Sequence, residues 1–217
     1  MSYTLDLPPH PKMPMPNLSR VQQMRRLTIF LVTVPALVLF PFVRSVWDWQ
    51  GPVQEWVENI GFSLVLVAIF GRCWASLYIG GRKMRDLVQR GPFSVMRNPL
   101  YFFSFVGAFG MGAASGSVVL ASAFLFFAYV VFRDVVRKEE AALHILFGEP
   151  YADYCKRVPR FLPNPLLWHD DEVLEIQPKR VIRTLIDALP FVLAMPMFEV
   201  IGMLQVDGML PVLLYLP

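Results

Sequence analysis

The sequence predicts an all-α, polytopic membrane protein with about five transmembrane helices, including a tight hairpin of the third and fourth spans, and a cytosolic C-terminal catalytic segment. Three observations lead there. Hydrophobic residues make up 55% of the 217 positions and mean hydropathy is +0.47, too apolar for an ordinary soluble domain. Apolar runs long enough to cross a bilayer core of about 30 Å recur along the chain. Basic residues gather at one end of these runs, whereas tryptophans and acids gather at the other.

The formal net charge of +3 lies mostly beside the apolar runs, which assigns it to orientation and membrane lipid headgroups and not to nucleic acid. Cys73 sits in an apolar run and Cys155 in a polar one, so neither a disulfide nor a metal site is expected. His10 and His169 are read as carrying no chemistry.

Residues 1–26 are rich in proline and are followed by no small-residue cleavage site, which reads as a cytosolic tail. Residues 27–80 hold the first two spans. The first, 27–43, contains Pro35 and Pro41 as expected kinks, and Trp47, Trp49 and Trp56 with Asp48, Glu55 and Glu58 then mark the outer interface. The second, 60–80, ends at Arg82, Lys83, Arg85, Arg90 and Arg97, a cytosolic cluster.

Residues 81–163 form the functional core. Its third and fourth spans, 99–113 and 117–132, are separated by the small-residue turn 112–116, and the nearby glycines read as close-packing positions, because no strand–turn–helix context supports a phosphate loop. Arg133, Arg137 and Lys138 return the chain to the cytosol. Glu139 and Glu140 follow, one helical turn before Leu143 and His144, so a polar side and a greasy side emerge together. Gly148 reads as a stop, Pro150 as the first turn of a short helix with Tyr151 and Tyr154 on one face, and Pro159 as its end, delivering Arg160 on extended backbone. A cytosolic linker, 164–187, precedes a C-terminal membrane segment, 188–217. That segment comprises a fifth span, 188–204, broken by Pro190 and Pro196, and a tail, 208–217, too short to cross.

Helix arithmetic places the candidate residues at one membrane edge. Tyr101 lies about a dozen residues from the 112–116 turn, roughly 18 Å, and Glu139 about two dozen, roughly 35 Å, so one falls below the cytosolic face and the other above it. A cavity between them is expected to be wet at the top and apolar below. Arg72 and Glu199 are charges inside apolar runs, and pairing with each other is one way to lower a cost of several kcal/mol.

The stretch GPFSVMRNPLY followed by EEAALHILFGEPYADYCKRVPRFLP resembles the isoprenylcysteine carboxyl methyltransferase family and its bacterial relatives, which share a membrane helical core with phospholipid methyltransferases. The resemblance covers residues 82–163. It implies S-adenosyl-L-methionine bound at the cytosolic face without a Rossmann domain, and methyl transfer to a lipophilic small molecule or prenylated acceptor. It carries cofactor contacts onto Asn98, Tyr101, Glu139, Glu140, Tyr151 and Tyr154, with Arg160 closing the site. The chain has Asn98 where the family often has histidine, so no ring nitrogen is available there.

Transfer from a sulfonium to a carboxylate erases two opposite charges, which a poorly solvating membrane-edge site favours. Arg160 is expected to orient the acceptor through its planar fork, with Arg97 and Arg72 as further substrate contacts and Glu140 or His144 as the base where the acceptor must lose a proton. Two other readings stay open. Membrane sterol reductases, which use NADPH, resemble this core and carry an arginine–asparagine–tyrosine type motif, and a non-catalytic lipid-binding protein would keep the fold alone. Read without the motif, the tyrosines are interface anchors and Arg97 and Arg160 are headgroup contacts.

Overall fold

The computed structural model describes residues 40–47, 51–81 and 85–217. Six helices account for most of these residues: α1 Pro52–Ile79, α2 Pro92–Val95, α3 Pro99–Ala113, α4 Val118–Phe147, α5 Glu149–Arg157 and α6 Pro178–Val206. Three of them, α1, α4 and α6, are long and apolar enough to cross a membrane. Most of the expected first span, 27–39, lies outside the described residues, and so do the tail 1–26, Asp48, Trp49, Arg82 and Lys83.

The helices read as spans differ from their sequence reading mainly in where they end and how long they are. The second span was expected from residue 60, but α1 starts at Pro52, because Gly51-Pro52 is itself a start signal and the acids that follow can point outward. The third span has the expected bounds, yet at 15 residues α3 is about 22 Å long, short of a bilayer core. The fourth does not end at Phe132: α4 continues unbroken for 30 residues to Phe147 and carries Glu139 and Glu140 on the same rod. Pro190 and Pro196 do not break the last helix, and the expected linker up to residue 187 gives up its last ten residues to α6. A proline removes one backbone donor, which a long apolar helix absorbs as a local bend.

The fold is also not purely helical. Val43–Ser45 (β1) and Leu214–Leu216 (β2) form a parallel pair with Arg44 opposite Tyr215, so the tail after α6 returns to the chain leading into α1. Gln205 clasps the same region, its Nε2 donating to the carbonyls of Pro41 (2.7 Å) and Val43 (3.2 Å). Ser117 caps α4 by accepting from Leu120 N–H and donates its hydroxyl to the Pro217 carbonyl at 2.8 Å.

Inside the bundle, α1 buries Gly61, Val65, Ala68, Gly71 and Ala75, a stripe at helical spacing, against α3. The approach is very close. A Cβ on Gly61 would lie 2.7 Å from the Gly110 carbonyl oxygen, and one on Gly110 would lie 2.8 Å from the Gly61 carbonyl oxygen. At the next contact, between α3 and α4, a Cβ on Gly112 would lie 2.4 Å from the Ala121 Cα. Lipid tails are as apolar as leucine, so packing this tight supplies the association that the hydrophobic effect does not.

At Gly61 and Gly112 the obstacle is backbone, which cannot swing aside, whereas at Gly107 the nearest obstacle is the Ala68 methyl at 3.0 Å. Gly61→Ala and Gly112→Ala should therefore each destabilise the protein by about 1–3 kcal/mol, and Gly107→Ala by distinctly less. Thermal unfolding in detergent reads the order; equal midpoints for the three variants would contradict the packing described.

Candidate active site

The site is assembled where the start of α3 meets the far end of α4. Glu140 is the hub and is only 7% exposed. Asn98, the residue before α3, donates its Nδ2 to Glu140 Oε1 at 2.9 Å. Arg160 engages both carboxylate oxygens, Nε to Oε1 at 3.2 Å and Nη2 to Oε2 at 2.5 Å. Arg97 Nε stands 3.8 Å from Oε1, an ion pair too long for a hydrogen bond, and is a buried polar atom with no hydrogen-bond partner among the described residues. The fork that the sequence reading reserved for an acceptor carboxylate is thus occupied by the chain's own glutamate. Arg160 also sits in a bend, Arg160–Leu162, and not on plain extended backbone.

Backbone contacts fix the pieces around this hub. Arg97 N–H donates to the Pro159 carbonyl at 2.8 Å, and Asn164 N–H to the Val95 carbonyl at 2.9 Å, so 91–98 and 158–170 run together. Gly148, at φ 57°, turns α4 into α5 in one residue. That turn folds Tyr151 and Tyr154 back under α4, where both are buried with Val158 against Leu143 and Phe147. The Tyr154 hydroxyl donates to the Phe93 carbonyl at 2.7 Å, and His144 meets the Tyr151 ring edge-on at 4.8 Å. Trp168 stacks on Trp74 of α1, and Tyr78 donates to Asp170, which docks the end of this segment on the bundle.

A cavity of about 220 Å³ opens beside the hub. Arg72, Arg97, Asn98, Tyr101, Glu139, Tyr151 and Tyr154 all line it, so seven residues singled out from the sequence share one space. Glu140 and Arg160 do not line it and form its side support. Successive helix residues point about 100° apart, which sends Glu139 into the cavity and Glu140 toward the arginines. The Tyr101 ring packs on Phe132 at 5.3 Å, closing the apolar side.

Arg72 is not paired with Glu199, as had been one expectation. Its Nη1 donates to Ser104 Oγ and reaches the Leu100 carbonyl at 3.5 Å. Glu199 lies at the other end of α1, beside Glu58. Two polar lining residues escaped the sequence reading, Ser104 and Asp86. Ser104 follows Tyr101 by three residues and so shares its face, a signal that was present; Asp86 lies in an irregular loop and gave none.

The electrostatics favour fixed protonation states. Burial pushes the Tyr151 and Tyr154 hydroxyls well above the usual tyrosine range, and the Glu140 carboxylate adds to this, so both stay neutral at working pH. Hydrogen bonding to Glu140 raises Arg160 further above neutrality. The site therefore offers neutral phenols, the Glu139 side chain and one unspent guanidinium donor, Arg97 Nε, in a space walled by apolar rings.

A phospholipid methyltransferase family profile matches residues 60–150. The nickel-cobalt-cadmium resistance protein NccN of Alcaligenes xylosoxydans xylosoxydans is 32% identical over 170 residues, 76% of this chain and 78% of that protein. The cobalt-zinc-cadmium resistance protein CzcN of Cupriavidus metallidurans is 32% identical over 152 residues, covering 69% and 68%. The human protein-S-isoprenylcysteine O-methyltransferase is 28% identical over 121 residues, 50% of this chain and 42% of the human protein. No solved structure matches the chain. The matched stretch holds most of α1, all of α3 and α4, and the cavity wall apart from Tyr151 and Tyr154, and the chain belongs to the isoprenylcysteine carboxyl methyltransferase-like family of membrane methyltransferases.

Proposed function

We propose that this chain transfers a methyl group from S-adenosyl-L-methionine to a lipophilic acceptor, entered from the cytosolic face of the membrane. The observation that carries the reading is the cavity at the α3–α4 mouth, lined by Arg97, Asn98, Tyr101, Glu139, Tyr151 and Tyr154 and braced by the Glu140–Arg160 pair. The residues present fit such a cofactor. The orphaned Arg97 Nε is a donor suited to the cofactor's carboxylate, and Glu139 is an acceptor suited to its ammonium or ribose hydroxyls.

When bound, the cofactor supplies an electrophilic methyl on a cationic sulfur. The chain's own part is to position and to exclude water. Tyr101 on Phe132, with Phe93 and Leu143, makes the wall that keeps the lower cavity poorly solvated, where collapse of opposite charges is favoured. Asn98 and Arg160 fix Glu140, which holds Arg97 by charge at 3.8 Å while leaving its Nε unspent. A carboxylate acceptor needs no base; for an amine or thiol acceptor, Glu139 in the cavity wall is better placed to take the proton than the saturated Glu140.

A second reading is favoured by one observation, the 170-residue match to a metal-resistance protein. Under it, the methylated product contributes to tolerance of divalent metals.

Glu139→Ala should weaken S-adenosylhomocysteine binding at least tenfold, about 1.4 kcal/mol, with an unchanged unfolding midpoint. Glu140→Ala should weaken it as much and also lower the midpoint, because two guanidinium groups lose their carboxylate. Calorimetry on detergent-purified protein reads both, and wild-type affinity in the two single variants and in the double variant would sink the cofactor reading. For orientation, single cysteines at Trp47 and at Asp170 in a Cys-free background should label from opposite membrane sides, outside and cytosolic respectively; labelling from one side refutes the cytosolic placement. For the second reading, a deletion strain complemented with Glu139→Ala should lose cobalt tolerance together with methyl transfer. Full tolerance without methyl transfer would separate the two.

A further inference from the structure

A second cavity, about 270 Å³, lies at the opposite end of the bundle, between β1, the start of α1, the α3–α4 turn and the later half of α6. Arg72, in the first cavity, is fourteen residues along α1 from Glu58 in the second, about 21 Å of helix, so the two spaces are separate. The methyltransferase reading makes no use of this one.

Its lining carries both signs of charge. Glu58 comes from α1 and Glu199 from α6, and Arg44 comes from β1. Two of these are held in place by buried amides. Gln54, 5% exposed, donates its Nε2 to Glu58 Oε1 at 2.7 Å. Gln205, 8% exposed, clasps the carbonyls on either side of Phe42 and so fixes the strand that bears Arg44. Like charges on two facing helices repel in a half-apolar setting, and a cation between them removes that cost. One edge is greasy: Phe62 lines the cavity and is 41% exposed, and Phe198 stands opposite on α6, beside the exposed Met197 and Val200. A ligand with a polar head and an apolar tail matches such a rim, where a free polyamine would leave it uncovered.

We propose that this cavity binds a phospholipid whose headgroup carries a primary ammonium. The ammonium is taken by Glu58 and Glu199, the phosphate by Arg44, and the acyl chains lie against Phe62 and Phe198. A primary ammonium has three N–H donors, which Glu58, Glu199 and the side-chain carbonyl of Asn59 in the same wall can accept. A quaternary ammonium has none, so the site discriminates ethanolamine from choline, and its two carboxylates disfavour an anionic glycerol headgroup.

The test uses full-length protein in detergent, incubated with phospholipids of one acyl composition bearing ethanolamine, choline or glycerol headgroups, with retained lipid read by native mass spectrometry. The wild type should retain the ethanolamine lipid at least fivefold over either of the others. Glu58→Gln and Glu199→Gln should each abolish the preference for ethanolamine over choline, and Arg44→Gln should lower retention of both alike. Asn59→Ala, an exposed position whose change leaves every charge in place, should reduce the preference about threefold, keeping the proposal testable where a glutamine variant fails to fold. S-adenosylhomocysteine binding at the other cavity should be unchanged in all four. No headgroup preference in the wild type, a preference that survives Glu58→Gln with Glu199→Gln, a preference that Asn59→Ala leaves undiminished, or displacement of the lipid by equimolar phosphoethanolamine lacking acyl chains would each overturn it.

Discussion

The charge cluster on Glu140 is the constraint on which the rest of the functional core depends. A buried carboxylate is tolerated only when its charge is met and its lone pairs are filled, and here Asn98, Arg160 and Arg97 come from two chain segments to meet it. That requirement reaches back through the fold. The helix bearing Glu140 has to continue past the membrane without a break, and the chain after it has to reverse within one residue, at Gly148, to return Arg160 to the same point. Breaking such a cluster costs far more than forming it gains, so its part in the protein is to set position, and stability is secondary. What it positions is Arg97, the one arginine at the hub whose Nε has not been spent.

Above and below this hub, glycine contacts decide where space exists. The α1–α3 crossing at Gly61 and Gly110 and the α3–α4 crossing at Gly112 bring backbones into contact on the side away from the Glu140 cluster. Toward that cluster the partners become larger: Phe103 lies over Gly71, and Tyr101 meets Phe132. Helices clamped at one end and wedged apart by rings at the other leave a cavity at the wedged end. The cavity follows from side-chain size along three helices, with the turn after α3 as their fixed point.

Much of this was legible in the sequence, and the reasons differ by element. The helices were readable because long apolar runs admit few other structures in a membrane, and Pro99 and Gly148 punctuated them correctly. Helix ends were misjudged wherever polar residues continued a helix beyond the apolar run, as at Pro52, after Phe132 and before Ala188, since hydropathy reports the membrane and says little about where a helix stops in water. The β1–β2 pairing was not readable at all: three-residue strands joining residues more than 160 positions apart leave no local pattern. Candidate residues were found by type and motif, and seven fall in one cavity. Their partners were another matter. Arg160 offered the same planar fork to a substrate as to Glu140, and only the fold, by placing that carboxylate 2.5 Å from Nη2, decides which one it meets.

The separation of the two cavities has a consequence for the chemistry. Under the proposed methyl transfer, collapse of opposite charges needs a poorly solvating site while a polar cofactor enters from water, which calls for a cavity open at one end and sealed at the other. The seal is the packed middle of the bundle, where Ala68 lies against Gly107 and Gly61 faces Gly110 with no room for a methyl group between their backbones. Charges at the far end, Glu58 and Glu199, therefore act on the catalytic cavity only through about 20 Å of close-packed helix and not through a shared water column. α1 carries both sets of residues as one rigid rod, with Thr184 of α6 hydrogen-bonded to Ser76 near its catalytic end and Gln205 fastened to the chain beside its other end. α6 lines the far cavity and supplies no residue to the wall of the first, so α1, which lines both, is the element they share.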